Sequence, residues 1–225
     1  MSLKYVIAVP HMGSIHPELA KYLLSMSQKY GSAVSFIFRS QNPVSVNRNA
    51  LVEEFLKTEA EWLLFIDDDM NPKSDLLEMS NYDKPVIQAV TCIMQNNIPQ
   101  PLIMKKVEGT EEILFKQIEL SDLDNLENGL IEVDGVGTGC LLINRSVFSK
   151  LKKPYFKFEM DEEGLLKLSE DFYFSQKCKE NNINLYVDSK SHCGHIKRID
   201  LYNLNHMLYE VGKRNIKSDI IGDNK

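Results

Sequence analysis

The sequence lacks an apolar run long enough to span a membrane. Runs such as Tyr5–Val9 and Trp62–Ile66 are far shorter than the roughly 20 residues that a membrane-spanning helix requires. The first residues, MSLKYVIAVPH, contain no charged segment followed by an apolar stretch and a cleavage site, so they predict no secretory signal. We therefore expect a cytoplasmic protein without a membrane span.

The sequence is also short of basic residues. Its 26 Lys and Arg face 32 Asp and Glu, which gives a formal net charge of −6 at pH 7. Sequence-independent binding of nucleic acid needs a basic surface, so this balance argues against nucleic acid as a partner. It does not exclude a local basic pocket for a phosphate. The chain has 225 residues, of which 43% are hydrophobic, and these values favour one domain with a substantial core.

Cysteines are few and widely spaced. The chain contains Cys92, Cys140, Cys178 and Cys193, and none of them forms a C-x-x-C pair. This spacing predicts neither a zinc ribbon nor a dense disulfide framework. It favours reduced, mostly buried thiols, as is usual in the cytosol.

Short apolar strands alternate with helical segments in the first part of the chain. Strands are predicted at Tyr5–Val9, Ala33–Phe38 and Trp62–Ile66, with one helix from Pro17 and another over Val46–Lys57. This alternation predicts a βαβαβ unit and the α/β fold class. The third strand is continuously apolar, as expected when both faces of a parallel sheet are covered.

The second half of the chain changes character and predicts short strands between polar turns. Strands are predicted at Pro85–Val90, Leu102–Lys106, Ile113–Ile118, Leu130–Val133, Gly137–Asn144 and Asn184–Val187. Helices are predicted at Lys73–Met79, from Arg145 onward, at Ser169–Asn181 with Ser169 as its cap, and at Asp200–Lys213. A frayed tail is predicted at Lys217–Lys225. Together they predict a parallel first half and a mixed second half.

The strongest functional signal is the run Asp67-Asp68-Asp69, which follows the strand ending at Ile66. Adjacent carboxylates repel one another, and in an extended segment the first and third point the same way. Ligands of open α/β sheets collect beyond the carboxyl ends of the strands. The run therefore predicts a site for Mg²⁺ or Mn²⁺ with phosphate oxygens, with a solvated acidic turn as the alternative.

Two further charged positions are candidates for the same site. Arg48 opens the helix before the acidic strand, where an arginine can bind a phosphate or a nucleoside, although a surface arginine is the simpler interpretation. Asp171 lies at the start of the helix after Ser169. It can accept a proton from a hydroxyl nucleophile, or it can merely complement the helix dipole.

His195 and the segment Gly137-Thr138-Gly139 complete the candidates. An imidazole can ligate a divalent ion already held by carboxylates, although a lone histidine is usually structural. Glycines entering a strand indicate close approach by a ligand or by another stretch of backbone. The spacing of this segment is not the G-x-G-x-x-G dinucleotide fingerprint.

Taken in chain order, these segments resemble the GT-A glycosyltransferases of the family-2 type. The resemblance is carried by the strand ending at Pro10 and by NRNA, LLFIDDDM, GTGCLLINRSVF, SEDFYF and LYVDSKSHCGH, and it covers roughly residues 4–200. It implies one GT-A domain over residues 1–215, followed by a tail at 216–225. Within the domain, a Rossmann-like nucleotide-binding half (1–90) is fused to a mixed-sheet acceptor half (91–215).

The resemblance also implies a role for each matching residue. The residues implied to bind the donor are Pro10, His11, Arg48, Asp67, Asp68 and Asp69, and those implied to bind Mn²⁺ or Mg²⁺ are Asp67, Asp69 and His195. The residues implied to contact the acceptor and donor sugars are Gly137, Thr138, Gly139 and Glu170. Asp171 is implied to be the general base. The implied activity is metal-dependent, inverting transfer of a sugar from a nucleotide-sugar to an acceptor hydroxyl. The donor expected from family habit is a UDP-sugar, and the acceptor a carbohydrate or glycoprotein.

Three alternatives stay open at this point. The first is a retaining glycosyltransferase of the same fold. The second is a sugar-phosphate nucleotidyltransferase, although AVPHMGSIHPE supplies one glycine where such enzymes carry a glycine-rich loop. The third is a catalytically inactive nucleotide- or sugar-binding module, against which the presence of Asp171 argues.

Overall fold

A computed structural model describes residues 2–40, 43–95, 98–106, 115–117, 129–198, 200–202, 204–210 and 213. The strands are β1 (Tyr5–Pro10), β2 (Val34–Arg39), β3 (Trp62–Ile66), β4 (Met70–Pro72), β5 (Val86–Val90), β6 (Cys92–Gln95), β7 (Ile98–Pro101), β8 (Met104–Lys106), β9 (Phe115–Gln117), β10 (Leu130–Val133), β11 (Cys140–Asn144), β12 (Glu159–Met160), β13 (Leu166–Leu168) and β14 (Leu185–His195). The α-helices are α1 (Pro17–Tyr30), α2 (Val44–Leu56), α3 (Arg145–Lys150) and α4 (Glu170–Glu180), and 3₁₀ helices lie at Gly31–Ala33 and Leu76–Tyr82.

The predicted βαβαβ unit is confirmed. Strand β1 pairs in parallel with β2 on one side and with β3 on the other, so that Ile7 lies opposite both Phe36 and Leu64. Helix α1 begins at Pro17, whose missing N–H is not needed in a first turn. Because parallel strands end at the same edge of a sheet, the residues after β1 and β3 are brought together there.

One mixed sheet joins both halves of the chain. Its strand order is β10-β14-β5-β11-β3-β1-β2, and β4 pairs with β14. Strand β11 runs antiparallel between β3 and β5, whereas β14 is parallel to β5. Strand β14 extends past β5 and pairs with β4, where His195 lies opposite Met70. The α/β class and the change from a parallel to a mixed arrangement within one domain are confirmed.

The core lies on both faces of this sheet. Along β1, Val6 and Ala8 belong to one buried cluster, whereas Ile7 and Val9 belong to the other, because side chains alternate across a strand. Helices α2, α3 and α4 pack on the first face, and helix α1 packs on the second. This three-layer arrangement explains why the central strands are continuously apolar.

The prediction that the cysteines are reduced is wrong for one pair. Cys140 on β11 and Cys193 on β14 are joined by a disulfide, and their Cα atoms are 6.8 Å apart. Cys92 and Cys178 are free. The pairing was invisible in the spacing because the two cysteines are 53 residues apart and come together only where β14 passes the end of β5.

Three local predictions differ from the structure. The helix predicted at Lys73–Met79 is a 3₁₀ helix at Leu76–Tyr82, which Asp75 caps by accepting a hydrogen bond from the backbone. Ser169 stands at the N-cap of α4, but its side chain makes no capping hydrogen bond. The strand predicted at Asn184–Val187 is the first part of β14, which continues to His195. The short strands β4, β6, β7, β12 and β13 were not predicted, because two to four residues give no clear periodicity.

The end of the chain is described only in part. Asp200 caps a final helix as predicted, since its Oδ1 accepts a hydrogen bond from the Tyr202 N–H at 2.7 Å, and residues 201–202, 204–210 and 213 are helical. The predicted tail at 216–225 lies outside the described residues, as does the predicted strand 113–118 except for β9. Among the helices described, none has the length and apolar character to cross a membrane.

Candidate functional site

A cavity of about 280 Å³ opens where β1 and β3 end. Its lining consists of Pro10, His11, Met12, Val44, Asn47, Asp67, Asp68, Asp69, His195 and Lys197. The structure thus brings together most of the donor-binding and metal-binding residues predicted from the sequence. Arg48, Glu170 and Asp171 lie outside this lining, and Arg48 connects them to it through Asp67.

Arg48 is buried beneath the acidic run. Its side chain is 3% exposed, and its Nη1 and Nη2 donate hydrogen bonds to Oδ1 and Oδ2 of Asp67 at 2.8 and 3.1 Å. Burial opposes the charge of the guanidinium, but the carboxylates of Asp67, Asp171 and Glu170 together outweigh it and raise the pKa of Arg48. The surface-arginine interpretation is therefore wrong. This bidentate salt bridge holds Asp67 in a fixed orientation at the cavity wall.

Asp68 organises the loop after β1. Its Oδ2 accepts a hydrogen bond from the Met12 N–H at 2.9 Å, and its backbone carbonyl accepts one from the His16 N–H at 2.9 Å. The loop that carries His11 is thereby fixed to the end of β3. Asp68 acts on the cavity by holding this loop in place.

Asp69 is the centre of a second charged group. Its Oδ2 lies 3.1 Å from Nε2 of His195 and 2.5 Å from Nζ of Lys197, and the carbonyl of Cys92 lies 2.9 Å from the other ring nitrogen of His195. Burial raises the pKa of Asp69, but the hydrogen bonds from His195 and Lys197 lower it to about 2. The hydrogen bond to Asp69 raises the pKa of His195 against the effect of burial.

The predicted metal ligands are therefore divided between two groups. Asp69 and His195 are in contact, whereas Asp67 faces Arg48. Across the described residues, no group of three or more His, Cys, Asp and Glu side chains is arranged to hold a metal ion. Among the described residues, one carboxylate and one imidazole meet at this point.

Glu170 and Asp171 form an acidic pair at the start of α4, in which Glu170 is buried and Asp171 is half-buried. Thr138 Oγ1 donates a 2.5 Å hydrogen bond to Oδ1 of Asp171, and Oε1 of Glu170 lies 3.7 Å from Nε of Arg48. Burial, and then the charge of Asp171, raise the pKa of Glu170 to about 7. Burial also raises the pKa of Asp171, although Arg48 and the Thr138 hydrogen bond oppose this shift. These environments are unlike that of a solvated helix terminus.

The glycines of Gly137-Thr138-Gly139 are packed against protein side chains. A Cβ atom on Gly137 would collide with Leu102, and one on Gly139 would collide with Met70. The backbone of this segment is fixed at both ends, because Gly137 N–H donates to Gln88 Oε1 at 2.7 Å and the Gly139 carbonyl accepts from Asp67 N–H at 3.0 Å. The segment thus links the acidic run to the Thr138–Asp171 pair.

The raised pKa of Glu170 predicts a pH-dependent stability. A carboxyl with a folded pKa of about 7 and an ordinary value of 4.5 contributes stability that is complete below 4.5 and is lost as the pH rises through 7. We expect Glu170→Gln to reduce the fall in free energy of unfolding across this window. Urea unfolding on both sides of the window measures it, with the exposed Glu162→Gln as control. An unchanged fall in Glu170→Gln would contradict the assignment.

Two polar residues of the lining, Asn47 and Lys197, were not among the predicted site residues. Lys197 follows His195 by two residues, and it reaches the same carboxylate of Asp69. Asn47 precedes Arg48 on α2 and is 2% exposed. Each carried a weak signal, namely its spacing from a residue already singled out, but neither residue type is distinctive without the fold.

Comparison with known proteins identifies the fold through solved structures. No protein-family model matches the chain, and no curated protein matches it. The crystal structure of A197 from STIV matches with a TM-score of 0.60 and 20% identity over 87% of each chain. The crystal structure of GalNAc-T7 with UDP, GalNAc and Mn²⁺ matches with a TM-score of 0.52 and 13% identity over 88% of this chain. The chain has a glycosyltransferase-like fold of the GT-A type.

At sequence identities of 20% and 13%, these matches show a shared fold and nothing more specific. This chain spans 45% of the GalNAc-T7 chain. The predicted GT-A architecture is confirmed.

Proposed function

We propose that the protein is a metal-dependent glycosyltransferase that moves a sugar from a UDP-sugar to an acceptor hydroxyl with inversion. The observation that carries this proposal is the single cavity in which the loop after β1, the acidic run and His195 meet. Ligands of open α/β sheets bind at this edge. The solved structure of GalNAc-T7, which shares the fold, contains UDP, GalNAc and Mn²⁺, and this supports the same ligand class here.

The donor would bind along the cavity with its base near Pro10 and His11. In this arrangement, Asp67 is oriented by Arg48 and faces the ribose, while Asp68 keeps the β1 loop closed on the base. Lys197 adds a positive charge for the diphosphate on the other side, next to Asp69. A cluster of carboxylates would otherwise repel a diphosphate, so the site needs these cations.

Asp69 and His195 would hold the divalent cation. One carboxylate oxygen and one imidazole nitrogen, 3.1 Å apart on the cavity wall, are a donor pair suited to Mn²⁺ once diphosphate oxygens complete the coordination. A bound cation would stabilise, as a Lewis acid, the negative charge of the departing nucleoside diphosphate. The carbonyl of Cys92 fixes the ring orientation of His195 from the other side.

Asp171 would accept the proton of the acceptor hydroxyl. Its burial and the Thr138 hydrogen bond hold the carboxylate in one orientation, and its raised pKa makes it a stronger base than an exposed aspartate. The hydroxyl oxygen attacks the anomeric carbon as its proton moves to Asp171, and the bond to the diphosphate breaks on the opposite face. Gly137, Thr138, Gly139 and Glu170 would border the sugars beside this base.

Asp69→Asn tests the metal-binding part of the proposal. An amide in place of the carboxylate is a weaker ligand, so we expect loss of the Mn²⁺-dependent component of UDP binding and of UDP release from UDP-sugars. Calorimetry of UDP with and without Mn²⁺ measures the first effect. Asp83→Asn is the matched control, because Asp83 is exposed and its positive φ suits asparagine. Unchanged binding in Asp69→Asn would identify the acidic run as a simple acidic turn.

A further inference from the structure

Asn47, the fourth residue of α2, carries a buried acceptor, its side-chain Oδ1. Its side chain is 2% exposed, and its Nδ2 donates a 2.7 Å hydrogen bond to the Arg39 carbonyl. This contact defines which end of the amide is the donor, so the other end is the acceptor Oδ1. No donor in the described part of the chain reaches Oδ1. A buried acceptor is costly to leave unpaired, so Oδ1 is set up to receive a donor from a ligand.

The position of Asn47 indicates which part of a nucleotide it meets. Asn47 lines the cavity, and the carbonyl of Arg39 that accepts from Nδ2 also accepts from the His11 N–H at 3.0 Å. Asn47 therefore lies beside the ends of β1 and β2, next to Pro10 and Val44. The acidic run follows β3, and the other charged group of the lining comes from His195 at the end of β14 and from Lys197 just after it. Strand β14 lies on the other side of β3 from β1 in the sheet.

We propose that Asn47 recognises the nucleobase, with Oδ1 accepting a hydrogen bond from the imide N3–H of uracil. This inference rests on the proposed function and adds the residue that selects the base. Uracil carries a hydrogen on N3, whereas cytosine has a lone pair there, which would face the Oδ1 lone pairs. A site with a buried acceptor rejects a ligand that lacks the matching donor. Asn47 thus discriminates between the two pyrimidines.

Calorimetry with UDP and 3-methyl-UDP in the presence of Mn²⁺ tests the hydrogen bond on the wild-type protein. The methyl group removes the N3 donor, and we expect affinity to fall about tenfold or more. Equal affinities for the two nucleotides would overturn the proposal, whatever the behaviour of any variant.

Asn47→Leu separates recognition from a structural role. Leucine keeps the branched outline of asparagine at a larger volume, and it removes both the acceptor and the Nδ2 donor to the Arg39 carbonyl. We expect UDP binding to weaken and the further cost of N3 methylation largely to disappear. A residue that only shaped the cavity would weaken both nucleotides by the same factor and leave their ratio at the wild-type value, which would overturn the proposal. Asn49→Leu is the matched control on the same helix, since Asn49 bonds to Ser45 and Phe156 and lies outside the cavity lining.

A third nucleotide, 2′-deoxy-UDP, distinguishes the base from the ribose. If Asn47→Leu cancels the cost of removing the 2′-hydroxyl and leaves the cost of N3 methylation intact, the ribose is the partner and the proposal is wrong. Failure of the wild-type protein to bind UDP at all would contradict the proposed function itself, and the inference would fall with it. If the protein binds UDP but Asn47→Leu leaves the cost of N3 methylation unchanged, the inference is wrong and the proposed function is unaffected.

Discussion

Asp171→Asn is expected to lower sugar transfer by several hundred-fold or more while UDP affinity stays at the wild-type level. Removal of a positioned general base costs on the order of 10² to 10⁴ in rate, and the asparagine keeps the volume of the side chain and a partner for Thr138. The loss should appear in kcat, because the carboxylate acts on the proton that moves in the transition state. Steady-state transfer assays and UDP calorimetry on the same preparation measure the two quantities.

Glu180→Gln is the matched control for this experiment. Glu180 lies at the exposed end of the same helix, and we expect it to leave transfer unchanged. Intact transfer in Asp171→Asn would assign the base to another residue or point to retention of configuration. A wild-type protein that binds UDP with Mn²⁺ yet transfers sugar to no acceptor would instead be a nucleotide-binding module.

Arg48→Met is expected to destabilise the fold by at least about 3 kcal/mol, the usual cost of leaving buried charges without their partner. Methionine retains much of the apolar contact but leaves Asp67, Glu170 and Asp171 without the guanidinium that lies among them. The free energy of unfolding in urea at neutral pH measures the loss. We expect part of it to be recovered when Glu170→Gln is added, because one of the mutually repelling carboxylates is then neutral.

Arg39→Met provides the comparison. Arg39 pairs with Glu54 on the surface, where both side chains are more than a third exposed, and such pairs contribute about 0–1 kcal/mol. If Arg48→Met cost no more than Arg39→Met, the buried guanidinium would not be what holds the acidic side chains together.

The first half of the fold was predictable because its signals are local. The apolar run Trp62–Ile66 became β3 with the predicted bounds, and Pro17 opened α1 where its missing N–H has no cost. The order of β11 and β14 in the sheet has no local signal. For the same reason the Cys140–Cys193 disulfide was missed, since it depends on where β14 passes β5.

The candidate site was predictable to the extent that its residues have distinctive chemistry. Three consecutive aspartates after a buried strand are conspicuous, and all three line one cavity. The burial of Arg48 and the division of Asp67 from Asp69 could not be predicted, because they depend on which partner each carboxylate meets in the fold. The same holds for Asn47, whose buried Oδ1 meets no donor among the residues that the structure describes.

The most direct measurement is a calorimetric titration of the wild-type protein with UDP, GDP and dTDP, each with and without Mn²⁺. A nucleotide-sugar transferase that uses Asp69 and His195 as proposed should bind UDP in a metal-dependent manner and bind GDP much more weakly. Absence of binding for all three nucleotides in the presence of Mn²⁺ would contradict the assignment of the cavity as a donor site.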